Sequence, residues 1–249
     1  MSGAPAPLRH LLAAFHFLTR FPVPGPAPQE ADLGRSLAFF PVPGVVLGAL
    51  LAGAARLVGD HLAPAVVAPL LVAALAWLSG ALHLDGLADL ADGLGGGHRD
   101  PARTLSIMRD SRIGAFGAVA VILLLLVKTA SVAELVKGGG AWALLCAPAL
   151  ARFTAVPLVV LFPYARPEGL GRPFHAGGGP RELAVAAVIT AAILAVAGKR
   201  ALFPTAVALG VALVLALAIR HRLGGLTGDV YGAAMELAET AFLACAGMR

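Results

Sequence analysis

Ile113-Gly114-Ala115-Phe116-Gly117-Ala118-Val119-Ala120-Val121-Ile122-Leu123-Leu124-Leu125-Leu126-Val127-Lys128-Thr129-Ala130-Ser131-Val132-Ala133-Glu134-Leu135-Val136 contains only two charged residues, Lys128 and Glu134. About 20 consecutive apolar residues cross the hydrocarbon layer as a helix. In lipid a helix satisfies its backbone polar groups internally. This stretch therefore reads as a transmembrane helix.

The pattern repeats on either side. Residues 36–58, 62–82, 141–163, 183–197, 201–219 and 230–247 are also mainly apolar. The run 183–197 is short; it either spans with flanking residues or forms a tight helical hairpin with 201–219. The last run carries Glu236 and Glu239 and must face protein or water. Composition agrees: of 249 residues, 59% are hydrophobic and 13% charged, against about 25% charged in soluble domains. Mean hydropathy is +0.85. The sequence predicts an all-α, polytopic integral membrane helix bundle with six or seven transmembrane helices. Pro43 is expected to kink the first of them.

Residues 1–35 read as an interfacial N-terminal segment. Leu8, Leu11, Leu12, Phe15 and Leu18 recur at helical spacing, with Arg9 and His16 off that stripe. The Pro-rich stretch 21–28 ends the helix. His16 and Arg20 interrupt the apolar run and no small-residue cleavage site follows, so no signal peptide is expected. Cys146 and Cys245 both lie in apolar runs and read as packing residues.

The net charge of +5 is a matter of placement, not a sign of nucleic-acid binding. Of the 19 Lys and Arg, 12 fall in 1–35, 83–112, 164–182 and 220–229. With seven spans and the N-terminus inside, all four regions lie on one side. Cytoplasmic loops collect such residues, so the chain is expected in the cytoplasmic (inner) membrane with its polar motifs facing the cytoplasm.

The first polar motif is His83-Leu84-Asp85-Gly86-Leu87-Ala88-Asp89-Leu90-Ala91-Asp92-Gly93. Asp85, Asp89 and Asp92 stand at i, i+4 and i+7, one face of a helix. Three carboxylates so placed repel unless protonated or neutralised by a cation. Hard oxygen ligands near water suit Mg²⁺ or Mn²⁺, with substrate phosphate completing the shell. This is the arrangement of metal-assisted phosphoryl transfer, in which Arg neutralises phosphate oxygens.

The second motif contains Arg109, Asp110, Ser111 and Arg112. Asp110 or Ser111 can cap the next span, and the two Arg form a candidate anion site at its N-terminus. The third is Arg220-His221-Arg222-Leu223-Gly224-Gly225-Leu226-Thr227-Gly228-Asp229. Its glycines can expose backbone N–H groups to an anion. Thr227 or Asp229 can cap the final helix, and Asp229 and Glu236 can share a face. Lys128 and Arg152, within spans, either snorkel or line a cavity.

These segments resemble the cobalamin synthase family, the adenosylcobinamide-GDP ribazoletransferases. The matching stretches are Phe17 to Pro22, Phe40 to Gly44, His83 to Gly93 with Met108 to Gly117, and Arg222 to Asp229 with Tyr231-Gly232-Ala233. Pro43 stands where the family has an aliphatic residue, and 164–182 matches no motif. The resemblance implies a single transmembrane enzyme domain over 1–249 that uses Mg²⁺. It implies transfer of the adenosylcobinamide phosphoryl group from adenosylcobinamide-GDP to the 5′-hydroxyl of α-ribazole, or of its 5′-phosphate. GMP leaves, and adenosylcobalamin or its 5′-phosphate forms late in cobalamin biosynthesis. Asp85, Asp89 and Asp92 are then the expected metal ligands. One of them or Asp229 takes the hydroxyl proton. Arg109, Arg112 and Asp110, with Arg20, Arg222 and His83, are the expected substrate-binding residues. The partners implied are the two small-molecule substrates, membrane lipid and other enzymes of nucleotide-loop assembly.

Two other readings compete. A CDP-alcohol phosphotransferase also opens its motif with Asp-Gly, but continues to an Arg that is absent after Asp85-Gly86-Leu87-Ala88. A cation-coupled transporter places its carboxylates near the midplane, often in repeated halves; here they cluster at one end and no repeat is visible.

Overall fold

The structure is a computed structural model, and it describes residues 5–24, 27–59, 61–169 and 171–248. Among them are twelve α-helices, α1 Ala6–Leu18, α2 Glu30–Ser36, α3 Pro41–Val58, α4 Pro64–Leu78, α5 Leu82–Gly96, α6 Pro101–Ile107, α7 Ala115–Lys137, α8 Ala141–Leu161, α9 Arg172–Gly177, α10 Pro180–Ala195, α11 Leu202–Leu223 and α12 Gly228–Ala246, and no strand. The protein is all-α, as expected.

Helices α8 and α12 form the middle of the bundle. Against α8 pack α3, α10 and α12; against α12 pack α5, α7 and α11. The α3–α8 contact is made by Gly44 and Gly48, where a side chain would run into the backbone of Pro148, Leu144 and Leu145. Small residues bring helix backbones together in membranes, where no hydrophobic drive operates between helices. Ile122, Leu123, Leu126 and Val127 of α7 and Val214 and Leu217 of α11 stay exposed on the outside, as lipid-facing side chains must.

All seven apolar runs form helices. Four stretches, Pro41–Val58, Ala115–Lys137, Ala141–Leu161 and Gly198–Leu223, are long and apolar enough to cross a membrane unaided. A fifth crossing arises if α4 and α5, bent by 90°, are one broken span. The two remaining helices fall short for separate reasons: α10 has 16 residues, and α12 carries Asp229, Glu236 and Glu239. No tight hairpin joins α10 to α11; α10 packs on α8 and the turn before α3, α11 on α12. Nor does Pro43 kink a span. The helix begins at Pro41, so Pro43 lies in its first turn, where backbone N–H groups have no intrahelical acceptor.

Candidate active site

The site begins at the corner between α4 and α5. Gly80 and Ala81 adopt left-handed backbone, with φ of 69° and 56°, and turn the chain through the 90° bend. Glycine takes that conformation without steric cost, alanine only with strain. The bend lays α5 against α12. A Cβ on Gly86 would stand 2.8 Å from the Asp229 carbonyl oxygen, and one on Gly232 3.1 Å from the His83 Cα. These two glycines bring Asp85 of α5 and Asp229 of α12 to the same place.

The segment after α8 closes the third side. Leu226 N–H donates to the Pro163 carbonyl and Ala165 N–H to the Leu226 carbonyl, both at 2.8 Å. Gly224, with φ of 76°, ends α11, and a Cβ on Gly225 would lie 2.7 Å from the Pro163 oxygen. Gly224 therefore serves the end of the helix and Gly225 a chain-to-chain contact. That contact carries Arg166 over α12, where its guanidinium lies 2.9 Å from the Asp229 carboxylate. The Arg166 Nε is buried without a hydrogen-bond partner among the described residues. Thr227, at the N-cap of α12, donates its hydroxyl to Asp229 at 3.2 Å.

Asp85, Asp229 and Arg166 line one cavity of about 270 Å³. His83 lines it too; its side chain is buried and neither ring nitrogen has a partner among the described residues. Tyr164 and Tyr231 flank this end, and the Tyr231 hydroxyl meets His175 Nε2 at 2.6 Å. The lining is otherwise largely apolar and includes Phe17, Phe40 and Phe174.

The structure separates the expected site residues into groups. Asp85, His83 and Asp229 converge on the cavity. Asp89, one turn along α5, lies within electrostatic reach of Asp85, Asp229 and Arg166. Asp92 faces α7 instead. Its carboxylate accepts the backbone N–H of Gly114 at 2.7 Å and of Gly117 at 2.8 Å. Both glycines are needed there, since a Cβ on either would collide with the Asp92 carboxylate. The cap of α7 is thus supplied from α5, and not by Asp110 or Ser111.

Asp110 pairs with Arg112 in a two-pronged contact, Nη2 to Oδ2 at 2.6 Å and Nε to Oδ1 at 3.0 Å. The side-chain and backbone hydrogen bonds from Arg112 hold the exposed Asp110 carboxyl down at about 2. Arg109 is exposed on the same loop. Arg20 lies outside the cavity. Its N–H donates to the Leu78 carbonyl at 2.7 Å and its side chain packs by Gly80, bracing the corner. Arg222 lines a separate surface groove with Arg99 and His221.

Sequence reasoning missed Arg166, Tyr164 and His175, which come from the segment that matched no motif. Only the concentration of Arg in 164–182 marked that segment as more than a connector.

A second charged cluster lies inside the bundle. Lys128 of α7 donates to Glu236 and, at 2.9 Å, to Glu239; Arg152 of α8 donates to Glu239 at 2.7 Å. All four side chains are buried. Lys128 and Arg152 are buried and do not snorkel; they neutralise the two acids of α12, and Lys128 with Glu239 borders a small pocket of about 10 Å³.

Among the described residues no three His, Cys, Asp or Glu side chains close around a common point. Two carboxylates, Asp85 and Asp229, share the cavity, with Asp89 next to them. Mg²⁺ is ordinarily held by one or two carboxylates, with water and substrate phosphate filling the octahedron. The residues present fit that mode and not a closed protein cage.

Known proteins resemble this chain along almost its whole length. The family model described as cobalamin-5-phosphate synthase matches residues 10–247. An adenosylcobinamide-GDP ribazoletransferase of Syntrophobacter fumaroxidans is 40% identical over 242 residues, covering 95% of this chain and 97% of the relative. One from Stutzerimonas stutzeri is 43% identical over 236 residues, covering 94% and 95%. One from Thiobacillus denitrificans is 42% identical over 248 residues, covering 97% and 96%. No solved structure matches the chain. With its helical membrane fold and its carboxylate-lined cavity, the chain belongs to the cobalamin-5-phosphate synthase family.

Proposed function

We propose that this chain transfers the cobinamide-bearing phosphoryl group of adenosylcobinamide-GDP to an α-ribazole acceptor, releasing GMP. A ribose oxygen of the acceptor attacks the phosphorus that bears the cobinamide arm. The bond from that phosphorus to the bridging oxygen breaks, and GMP leaves with the oxygen. The hydroxyl proton passes to a carboxylate, for which Asp85 and Asp229 on the cavity are the candidates. The family's description names a cobalamin 5-phosphate as product. An acceptor that already carries a 5′-phosphate cannot attack through its 5′ oxygen, so the expected 5′-hydroxyl gives way to a hydroxyl of the ribose ring. One site making both products would use the same ring hydroxyl for each.

Asp85, Asp89 and Asp229 are the residues that would hold Mg²⁺, which when bound supplies charge neutralisation at the phosphoryl oxygens. Arg166 holds Asp229 in place and offers further positive charge to the substrate. The acid row from Asp85 to Asp92 is about 10 Å long at 1.5 Å per residue and ends beside the loop of Arg109 and Arg112. The substrate, which is longer than its pyrophosphate, would lie along it with the reacting phosphates by the acids and cation at one end and its further groups by Arg at the other. The distribution of Lys and Arg favours a cytoplasmic-membrane location with this face inward. Asp85 and Asp229 meeting in one cavity, in a chain that matches this family over residues 10–247, carries the reading. The test is turnover by purified protein in lipid, given adenosylcobinamide-GDP, α-ribazole and Mg²⁺, with GMP and corrinoid product followed by chromatography. Product that requires Mg²⁺ is expected; none from a folded sample would send the search to other nucleotide-linked alcohols.

A further inference from the structure

The cavity lining contains two chemically different groups of side chains, and the proposed reaction has two substrates of very different size. One group is Asp85, Asp229 and Arg166. In the other, the aromatic end, Phe17, Phe40 and Phe174 touch one another, with ring centroids 4.7 Å apart for Phe17–Phe174, 5.6 Å for Phe40–Phe174 and 6.2 Å for Phe17–Phe40. They come from α1, the turn before α3, and α9, so three separate segments converge on one aromatic wall. His83 also faces this space with both ring nitrogens unpartnered among the described residues, although the residue is only 3% exposed. A buried polar ring without a partner is costly unless a ligand completes it.

We infer that the aromatic end, Phe17, Phe40 and Phe174 with His83, is the subsite for the planar base of the ribazole acceptor, which sets its ribose against Asp85 and Asp229. The inference rests on the transfer reaction above. Size excludes the other substrate's larger part: 270 Å³ is at the small end of ligand pockets, enough for a nucleoside and too little for a corrin macrocycle with its side arms. Chemistry excludes guanine. Its edge carries N–H, NH₂ and carbonyl groups, and burying these against phenyl rings leaves them unsatisfied. A benzimidazole presents a hydrocarbon edge to the phenyl rings and one imine nitrogen, which a single N–H of the His83 ring can satisfy. Stacked and edge-on aromatic contacts then favour the flat bicycle.

The test is equilibrium binding of α-ribazole to the full-length protein in lipid nanodiscs, together with KM values for both substrates. Phe174→Leu and Phe17→Leu, chosen to keep most of the packing volume and checked for an unchanged melting temperature, are expected to weaken α-ribazole about tenfold. The KM for adenosylcobinamide-GDP should not move. His83→Leu should weaken α-ribazole as well, and guanosine should not compete. Unchanged α-ribazole affinity in both Phe variants overturns the subsite. So does a rise confined to the KM of adenosylcobinamide-GDP, or a wild type that does not bind α-ribazole. A wild type that binds α-ribazole in this Phe-dependent way but makes no cobalamin product leaves the subsite standing and overturns the transfer reaction alone.

Discussion

The molecule contains two charged clusters, and they are built on opposite plans. Inside the bundle, Lys128 and Arg152 face Glu236 and Glu239, two charges of each sign, all buried and joined by hydrogen bonds. At the α5–α12 end, Asp85, Asp89 and Asp229 have, among the described residues, one close cation, Arg166, leaving two negative charges in excess when all three ionise. The first cluster is balanced in charge as it stands, although the Arg152 Nε has no hydrogen-bond partner among the described residues. The second has room beside it and a charge deficit that one divalent cation would balance. Charge in a low-dielectric setting must be matched; whether the protein or a ligand does the matching separates scaffold from site.

The sharpest way to break this comparison is to neutralise one acid in each cluster. Asp85→Asn should lower turnover by more than about a hundredfold while the melting temperature stays put. Normal turnover by that variant would remove Asp85 from the metal-binding set. Glu239→Gln should do the reverse. It leaves Lys128 and Arg152 short of a counter-charge in the bundle, and should destabilise the fold by about 3–5 kcal/mol, read as a lower melting temperature or loss of folded yield. Replacing all four members of the inner cluster by apolar residues of similar size should recover much of that stability with turnover retained. A folded but inactive quadruple variant would give the inner cluster a role in the chemistry.

Asp92 tests the boundary between the clusters. Its two oxygens hold the first turn of α7, so Asp92→Ala should cost about 1–2 kcal/mol of stability. Asp92→Asn keeps one acceptor oxygen and should retain most activity where Asp85→Asn does not. An Asp92→Asn variant as inactive as Asp85→Asn would return Asp92 to the metal set. The smallest effect is expected at Arg112. Arg112→Ala should raise the KM for adenosylcobinamide-GDP a few-fold and leave the melting temperature unchanged, because the pair with Asp110 is exposed. Asp110, held down at about 2 by Arg112, loses its charge only as pH falls through that value. The Arg112→Ala effect should therefore be flat across the neutral range, and a KM effect that titrates near neutrality would mean another group governs it.

Local pattern carried far in this protein. The apolar runs located α3, α4, α7, α8, α10, α11 and α12, and the spacing of Asp85 and Asp89 located the acid face of α5, which is as long as α4. The same local reasoning misplaced Pro43, whose effect depends on where the helix begins. It also read the glycines of the third motif as exposing N–H groups to an anion, when Gly224 caps the end of α11 and the neighbour of Gly225 is the backbone of Pro163 and Ala165.

By itself, the sequence determined that the chain is helical, that it belongs in a membrane, and that acids and Arg are concentrated in a few segments. These follow from composition and from periodicities of three to four residues, which a helix expresses whatever surrounds it. Only the tertiary structure decided that Asp92 caps α7, that Arg166 pairs with Asp229, and that Lys128 and Arg152 close on the acids of α12. Each of these contacts joins residues far apart in the chain. Their partners are chosen by which helix backbones can approach, and that choice rests with glycines such as Gly86 and Gly232 rather than with the charged residues themselves.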